Sequence, residues 1–288
     1  MLWLWLALGA ALLTGINIVI EKEALLKEHA MEFTTVLSIF AFLITLVLIP
    51  YVDFYIGVMN MIYIYIASIL ITVVLLFEAK GIRHLEVSEA APLLTLGPAF
   101  TALLAFIILK ETMSALNIFG IFLIVAGAYY LESHKLTIHF LHPLKKLVTN
   151  QYTFYILFAM LILSFLVIID KVILVNIDVY TFIFFYSFFS MINFIFLIYI
   201  FHDGFKGIVH GIKKAGKWIL PMAVMWLFAR LFYFSALTMY KASLVYPVLK
   251  MNAFFSTLIG GALFHEHHLK TRVITSIIMV LGVLFVAL

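Results

Sequence analysis

Long apolar runs, broken by short charged or turn-forming stretches, set the pattern of this chain. Ten such runs can be marked: Leu2 to Ile20, Phe33 to Tyr51, Met61 to Phe77, Val87 to Leu109, Leu116 to Leu131, Tyr152 to Ile169, Val179 to Phe201, Trp218 to Met239, Ser243 to Phe264, and Val273 to Leu288. They exceed the roughly 9 to 11 residues of a membrane strand and show no alternation at period two, so helices are predicted. The expected fold class is an all-α integral membrane protein with ten transmembrane helices. Ten spans of about 20 residues use roughly 200 positions, which leaves no room for a separate soluble domain.

The pattern repeats. A displacement of 155 residues carries Ser88 onto Ser243, Pro92 onto Pro247, Leu103 onto Leu258, Glu111 onto Glu266 and Gly127 onto Gly282. A displacement of 149 does the same for Lys22 and Lys171, Phe33 and Phe182, Ser38 and Ser187, and Phe40 and Phe189. The two differ where the stretch His202 to Lys217, taken as a loop, is longer than its counterpart Val52 to Asn60. Two five-span units are therefore predicted, residues 1–131 and 152–288, with a connector over 132–151. Five is odd, so the second unit must enter the membrane in the opposite sense.

Composition agrees. Hydrophobic residues make up 66% and charged ones 11%, against about 45 to 50% and about 25% in soluble domains, and the mean hydropathy is +1.21. Soluble, disordered, collagenous and coiled-coil chains are all excluded. Cysteine is absent, which removes disulfides, thiol nucleophiles and Cys-ligated metals. The opening Met1-Leu2-Trp3-Leu4-Trp5 lacks a basic region and reads as a retained span, not a signal peptide. The net charge of +4 fits loops facing anionic lipid, with no nucleic-acid footprint. Most of the 18 Lys and Arg, from Lys22 and Lys27 to Lys270 and Arg272, fall in loops on one side; only Lys110, Lys171 and Lys241 lie opposite. The positive-inside rule then places the chain in a cell (inner or plasma) membrane with both termini extracytoplasmic.

The stretch Leu96-Gly97-Pro98-Ala99-Phe100-Thr101-Ala102-Leu103, followed by Lys110-Glu111-Thr112, Gly120 and Gly127, resembles the EamA-type repeat of the drug/metabolite transporter superfamily. The second unit is similar through Phe232-Tyr233-Phe234-Ser235-Ala236-Leu237, Ala242-Ser243, Glu266 and Gly282, although Ala253 replaces Pro98 and Thr275 replaces Gly120. The resemblance implies ten helices around a central cavity and export or exchange of small metabolites. It implies no chemical reaction, no cofactor and no fixed oligomeric state; the partners are a small-molecule substrate and membrane lipids.

Charges inside spans are costly and tend to face a partner or an aqueous path. Arg230 lies near the middle of its span, too deep for easy snorkelling. It is read either as a substrate anchor or as half of a structural pair with Glu78 or Glu89. Lys250 follows Pro247, which frees a carbonyl of the preceding turn, and a broken helix near the midplane is a usual binding site in transporters. Their equivalents in the first unit are Leu75 and Thr95, so positive charge belongs to the second unit alone. Two cations favour a carboxylate or phosphate on the cargo.

Glu78, Glu89 and Asp170 border their spans, where an acid can bind a cargo amine, carry a coupling proton, or simply be solvated. Asn17 and Asn252 fit ligand binding or hydrogen bonding between helices. Tyr233 and Tyr246, close to the cations, are candidate cavity walls. Glu111 and Glu266 read as structural residues holding the turn to the next helix. His265, His267 and His268 cluster around Glu266 but lack metal-site spacing, and no metal is expected. Phosphate-binding loops and nucleophile elbows do not occur, which argues against an ATP-driven pump or a hydrolase.

The expected function is secondary transport of small organic metabolites, foremost amino acids or related carboxylates, by alternating access. Phosphorylated or nucleotide-linked metabolites suit the same two cations. An integral membrane enzyme acting on lipid-linked substrates is the alternative of another class.

Overall fold

A computed structural model of the chain describes residues 1–25, 30–84, 94, 96–132, 151–264 and 269–288. Glu89, Ser88, Pro92, Thr95, the connector over 133–150, and the His265, Glu266, His267 and His268 cluster lie outside the described residues. Among the described residues every regular element is a helix. They are α1 (Leu2–Leu25), α2 (Ala30–Thr45, continued by a tight turn over Leu46–Tyr51), α3 (Val58–His84), α4 (Gly97–Ile108) and α5 (Ala115–Glu132). After these come α6 (Gln151–Ile173), α7 (Val179–Phe201), α8 (Phe205–Met239), α9 (Ala242–Leu249), α10 (Asn252–Phe264) and α11 (Leu269–Ala287).

Among the described residues, six stretches are long and apolar enough to cross a membrane: Leu2–Glu21, Met31–Tyr51, Val58–Glu78, Gln151–Ile173, Val179–Phe201 and Phe205–Met239. Shorter apolar helices cover Gly97–Ile108, Ala115–Tyr129 and Ile277–Ala287. The ten expected spans are thus matched only in part. At about 1.5 Å per residue the 12 residues of α4 reach only about 18 Å of a roughly 30 Å core, and the start of that expected span falls outside the described residues. The ninth expected run is helical but divided, the Lys250–Met251 turn separating α9 from α10.

One sequence boundary is corrected. The stretch taken as a loop, His202 to Lys217, is helical from Phe205 onward, so α8 runs for 35 residues. Its glycines do not break it because they are packing devices. A Cβ at Gly207 would meet Glu32 Oε1 at 3.3 Å, and one at Gly211 would meet Val36 Cγ2 at 3.0 Å, so these turns lie tightly on α2. At the start of α7, Asp178 accepts the Thr181 amide at 2.9 Å, a helix cap that fixes the entry to this aromatic helix.

Packing between elements has a regular form. The helix α1 packs on α8, and α6 packs on α3; α2 packs on α8, and α7 packs on α3. The pairs α2 with α7 and α5 with α11 also pack directly. The α5–α11 seam is antiparallel: Asn117 Nδ2 donates to Val286 O at 3.2 Å, Gly120 faces Gly282, and Gly127 faces Thr275. A Cβ on Gly120 would lie 2.6 Å from Gly282 O, and one on Gly282 would lie 2.8 Å from Gly120 O. Only bare backbone fits there, which is how helices come close where lipid provides no hydrophobic drive.

Candidate functional site

Three helices turn one face each toward a common cavity of about 230 Å³. On α8, Trp226, Arg230, Tyr233 and Phe234 follow helical spacing; on α6, Leu163, Leu166, Val167 and Asp170 do the same. Tyr246, Leu249 and Lys250 come from α9, Asn252 from the start of α10, Tyr186 from α7, and Thr14, Ile71 and Leu75 close the wall from α1 and α3.

The break between α9 and α10 delivers Lys250. Pro247 has no amide hydrogen, so the Ser243 carbonyl loses its usual helical partner. The chain then tightens: Lys250 N donates to Pro247 O at 3.0 Å and Met251 N to Val248 O at 3.0 Å before α10 begins. Opposite the new helix start lies Gly15 of α1, where a Cβ would sit 2.9 Å from Asn252 O. A larger residue there would push α1 off the break.

Arg230 is held by weak partners. Its Nη1 donates to Ser187 Oγ at 3.1 Å, and its guanidinium carbon lies 5.3 Å from the Tyr186 ring centre and 4.8 Å from that of Trp226. The aromatic faces stabilise the cation without neutralising it. Asp170 is 4% exposed and lies within the electrostatic reach of Arg230, yet the two form no ion pair, and Asp170 Oδ1 has no hydrogen-bond partner. Tyr233 Oη is likewise buried without one. Lys250 Nζ stands 5.6 Å from the Tyr246 ring centre.

Of the residues singled out in the sequence, Arg230, Lys250, Asn252, Tyr233 and Tyr246 share this cavity. Asn17 and Glu78 are outside its lining. Asn17 is buried with both amide atoms unpartnered. Glu78, at the far end of α3, interacts electrostatically with Lys250 and with Glu21. The acid nearest in action to Arg230 is therefore Asp170, not Glu78. Sequence reasoning overlooked Glu21, Thr14, Tyr186 and Trp226, and knew Ser187 only as a repeat marker. The spacing of Trp226 and Arg230, one helical turn apart, was the legible signal; the others are brought in by other helices.

One end of the bundle is clasped. Glu111 accepts from Ala242 N at 2.9 Å, Ser243 N at 3.0 Å and Ser243 Oγ at 2.6 Å, so it caps α9 across the bundle instead of holding its own following turn. The ammonium of Lys241 donates to Thr112 O, and that of Lys171 donates to Leu237 O and, at 2.7 Å, to Tyr240 O. Trp3 stacks on Tyr240 with ring centres 4.3 Å apart. Toward the other end of α7, Glu32, His202 and Asp203 bring ligand atoms within 4.8 Å of one another. There the His202 Nδ1 lone pair already accepts the Asp203 amide at 2.8 Å, which ties it to the turn.

Residues 1–132 match the EamA-like transporter family. The match over that stretch is consistent with an EamA-type permease, and with the apolar helices it supports a multi-pass membrane protein. No curated protein matches the chain in sequence. A protein solved by crystallography superposes with a TM-score of 0.75 over 99% of this chain and 98% of its own, at 12% identity; at that identity the likeness speaks for the fold alone.

Proposed function

We propose that this protein is a secondary transporter that carries amino acids or related carboxylates by alternating access. In this reading residues 1–131 and 152–288 are two inverted five-helix repeats joined by 132–151, ten spans in all, in a cell membrane with both termini extracytoplasmic. The antiparallel α5–α11 seam supports the inversion, because positions related by the repeat meet crosswise: Gly120 with Gly282, Gly127 with Thr275. The reciprocal packing of α1 on α8 and α6 on α3 supports it too. A reporter fused after Leu288 tests the orientation and should behave as extracytoplasmic.

The observation that carries the substrate class is Arg230, a buried guanidinium whose partners are one hydroxyl and two ring faces. Its planar fork of donors suits a carboxylate, and in a site shielded from water each such bond is strong. Lys250 in the same cavity adds a second positive charge, the feature that also favours phosphorylated cargo. Asp170 in the same wall weighs against that second reading, since a phosphate dianion would have to sit beside a carboxyl group. Replacing Arg230 and Lys250 together by Gln should abolish uptake by reconstituted protein while leaving its thermal midpoint in place; unaltered uptake would overturn the reading. Competition by amino acids, and not by phosphate esters, separates the two cargo classes.

A further inference from the structure

Among the polar groups of the cavity, Asp170 has no task in the reading above. It is 4% exposed, it lines the cavity beside Arg230, and Oδ1 accepts no hydrogen bond. A carboxylate charged under such conditions is costly, because no donor compensates the lost hydration of that oxygen. A guanidinium stands in the same cavity lining, on α8, and an ionised Asp170 would be drawn into a pair with it. Instead, Arg230 is turned onto Ser187, Tyr186 and Trp226.

We propose that Asp170 is the proton-binding group of transport: it carries a proton while a cargo carboxylate occupies Arg230, and releases that proton to pair with Arg230 when the cargo leaves. The inference rests on Arg230 as the cargo anchor. The balance is simple. Cargo carboxylate and proton enter together, the first onto the guanidinium and the second onto a carboxylate oxygen of Asp170; on release the O–H bond breaks, the proton leaves to water with the cargo, and Asp170 takes the vacated place at Arg230. Loaded and empty carriers then bury the same net charge at this pair, so neither crossing leaves an unpaired ion. By linkage, bound cargo tightens proton binding by the same factor as a bound proton tightens cargo binding.

The ionisable groups around Asp170 are consistent with this assignment. On its own helix Lys171 is committed to the carbonyls of Leu237 and Tyr240. Facing it are Tyr186 of α7, Arg230 and Tyr233 of α8, Tyr246 and Lys250 of α9, and, beyond them, Glu78 of α3. The cation of α9 has Tyr246 and Glu78 as its electrostatic partners, which leaves Arg230 as the cation Asp170 can answer.

The test uses protein reconstituted in liposomes with a trapped pH-sensitive dye and radiolabelled L-phenylalanine, chosen for the apolar and aromatic wall. Wild-type flux should move protons with phenylalanine in a fixed ratio. In Asp170→Asn that ratio should fall by more than about tenfold, and Asp170→Glu should restore it. A wild-type ratio in the Asn variant, or phenylalanine moving without protons in the wild type, overturns the proposal. A second readout needs no cargo: at neutral pH the infrared difference against Asp170→Asn should show no carboxylic-acid C=O band in cargo-free wild type, where Arg230 keeps Asp170 ionised, whereas Arg230→Gln should show one that is lost when Asp170→Asn is added; a band in the cargo-free wild type, or none in Arg230→Gln, overturns the proposal as well. Wild-type-like flux in Arg230→Gln, or no phenylalanine flux in the wild type, would instead sink the cargo reading while the infrared result still decides Asp170.

Discussion

Two concavities among the described residues differ in kind, and the larger of the two is the less informative. Between α4 and α5 lies an apolar hollow of about 480 Å³ lined by Ala99, Ala102, Leu103, Phe106, Met113, Ile118, Ile121, Phe122 and Val125. The cavity among α6, α8 and α9 has about 230 Å³. In the first, the lining side chains point outward: Leu103 is 56% exposed and Phe122 61%, as befits a surface against acyl chains. In the second, a guanidinium, a carboxyl, an ammonium and three phenols converge behind apolar walls. Volume does not identify a site in a membrane protein, because lipid fills any apolar hollow at little cost. Polar groups withheld from lipid do identify one, since each of them is expensive to keep there.

Moving charge between the two regions gives the largest contrast. Leu103→Arg places a cation on the lipid face near the middle of α4, at a cost of about 2.5 to 3.5 kcal/mol on insertion scales. It should cut the yield of folded protein in membranes severely. Arg230→Leu removes a cation from the cavity and should do the reverse. Its thermal midpoint stays at or above that of wild type, because a desolvated charge is gone. Transport falls by roughly 100-fold, from losing two charge-assisted bonds of about 1.5 kcal/mol each. Membrane yield, thermal scans and uptake on the same preparations read all of this. A well-folded Leu103→Arg or a fully active Arg230→Leu would erase the distinction between hollow and site.

How much of this was legible beforehand follows the same division. Helical class and the boundaries of α7 follow from a local signal, apolar run length, and the notice drawn to Arg230 and Lys250 follows from charge inside a span. The extension of α8 through Phe205 was hidden because Gly207 and Gly211 look like breakers in sequence and act as contact points against α2. The pairing of Arg230 with the field of Asp170 was hidden for a different reason. Asp170 borders an expected span and looks interfacial, and only the cavity that α6 lines together with α8 and α9 shows it to be buried. Glu111 was seen correctly as structural, but its partner is some 130 residues away in sequence, beyond any local pattern.

The seam of α5 and α11 and the clasp at α9 sharpen the comparison from the dry side. Gly120→Leu forces a side chain into the 2.6 Å approach to Gly282 O, and overpacking of this kind costs about 1 to 3 kcal/mol. The thermal midpoint should drop, and phenylalanine affinity in the folded fraction should be unchanged, since no seam residue lines the cavity. Glu111→Gln keeps the shape and weakens three hydrogen bonds at the α9 N-terminus. The loss should be about 1 kcal/mol or somewhat more. It should also shift transport, because α9 carries Tyr246 and Lys250 into the cavity. A Glu111→Gln protein with a lower midpoint and unchanged cargo affinity would show that the clasp holds the fold without setting the site.

The smallest effect concerns the residue that aims Glu111. Lys110 is in the left-handed region at φ 54, just past the end of α4, where Glu111 N reaches back to Ala105 O at 3.2 Å. That closing hydrogen bond ends a helix in the manner usually reserved for glycine. A lysine there is strained by about 1 kcal/mol, and glycine gives part of that back through greater freedom in the unfolded chain. Lys110→Gly should therefore raise stability by about 0.5 kcal/mol, visible as a small rise in thermal midpoint. Uptake should be unaltered, because the Lys110 side chain makes no bond that orients Glu111. A fall in midpoint would mean that the lysine side chain contributes more at the membrane surface than its backbone costs, and the turn would then be held from outside the helix, not by the Ala105 carbonyl.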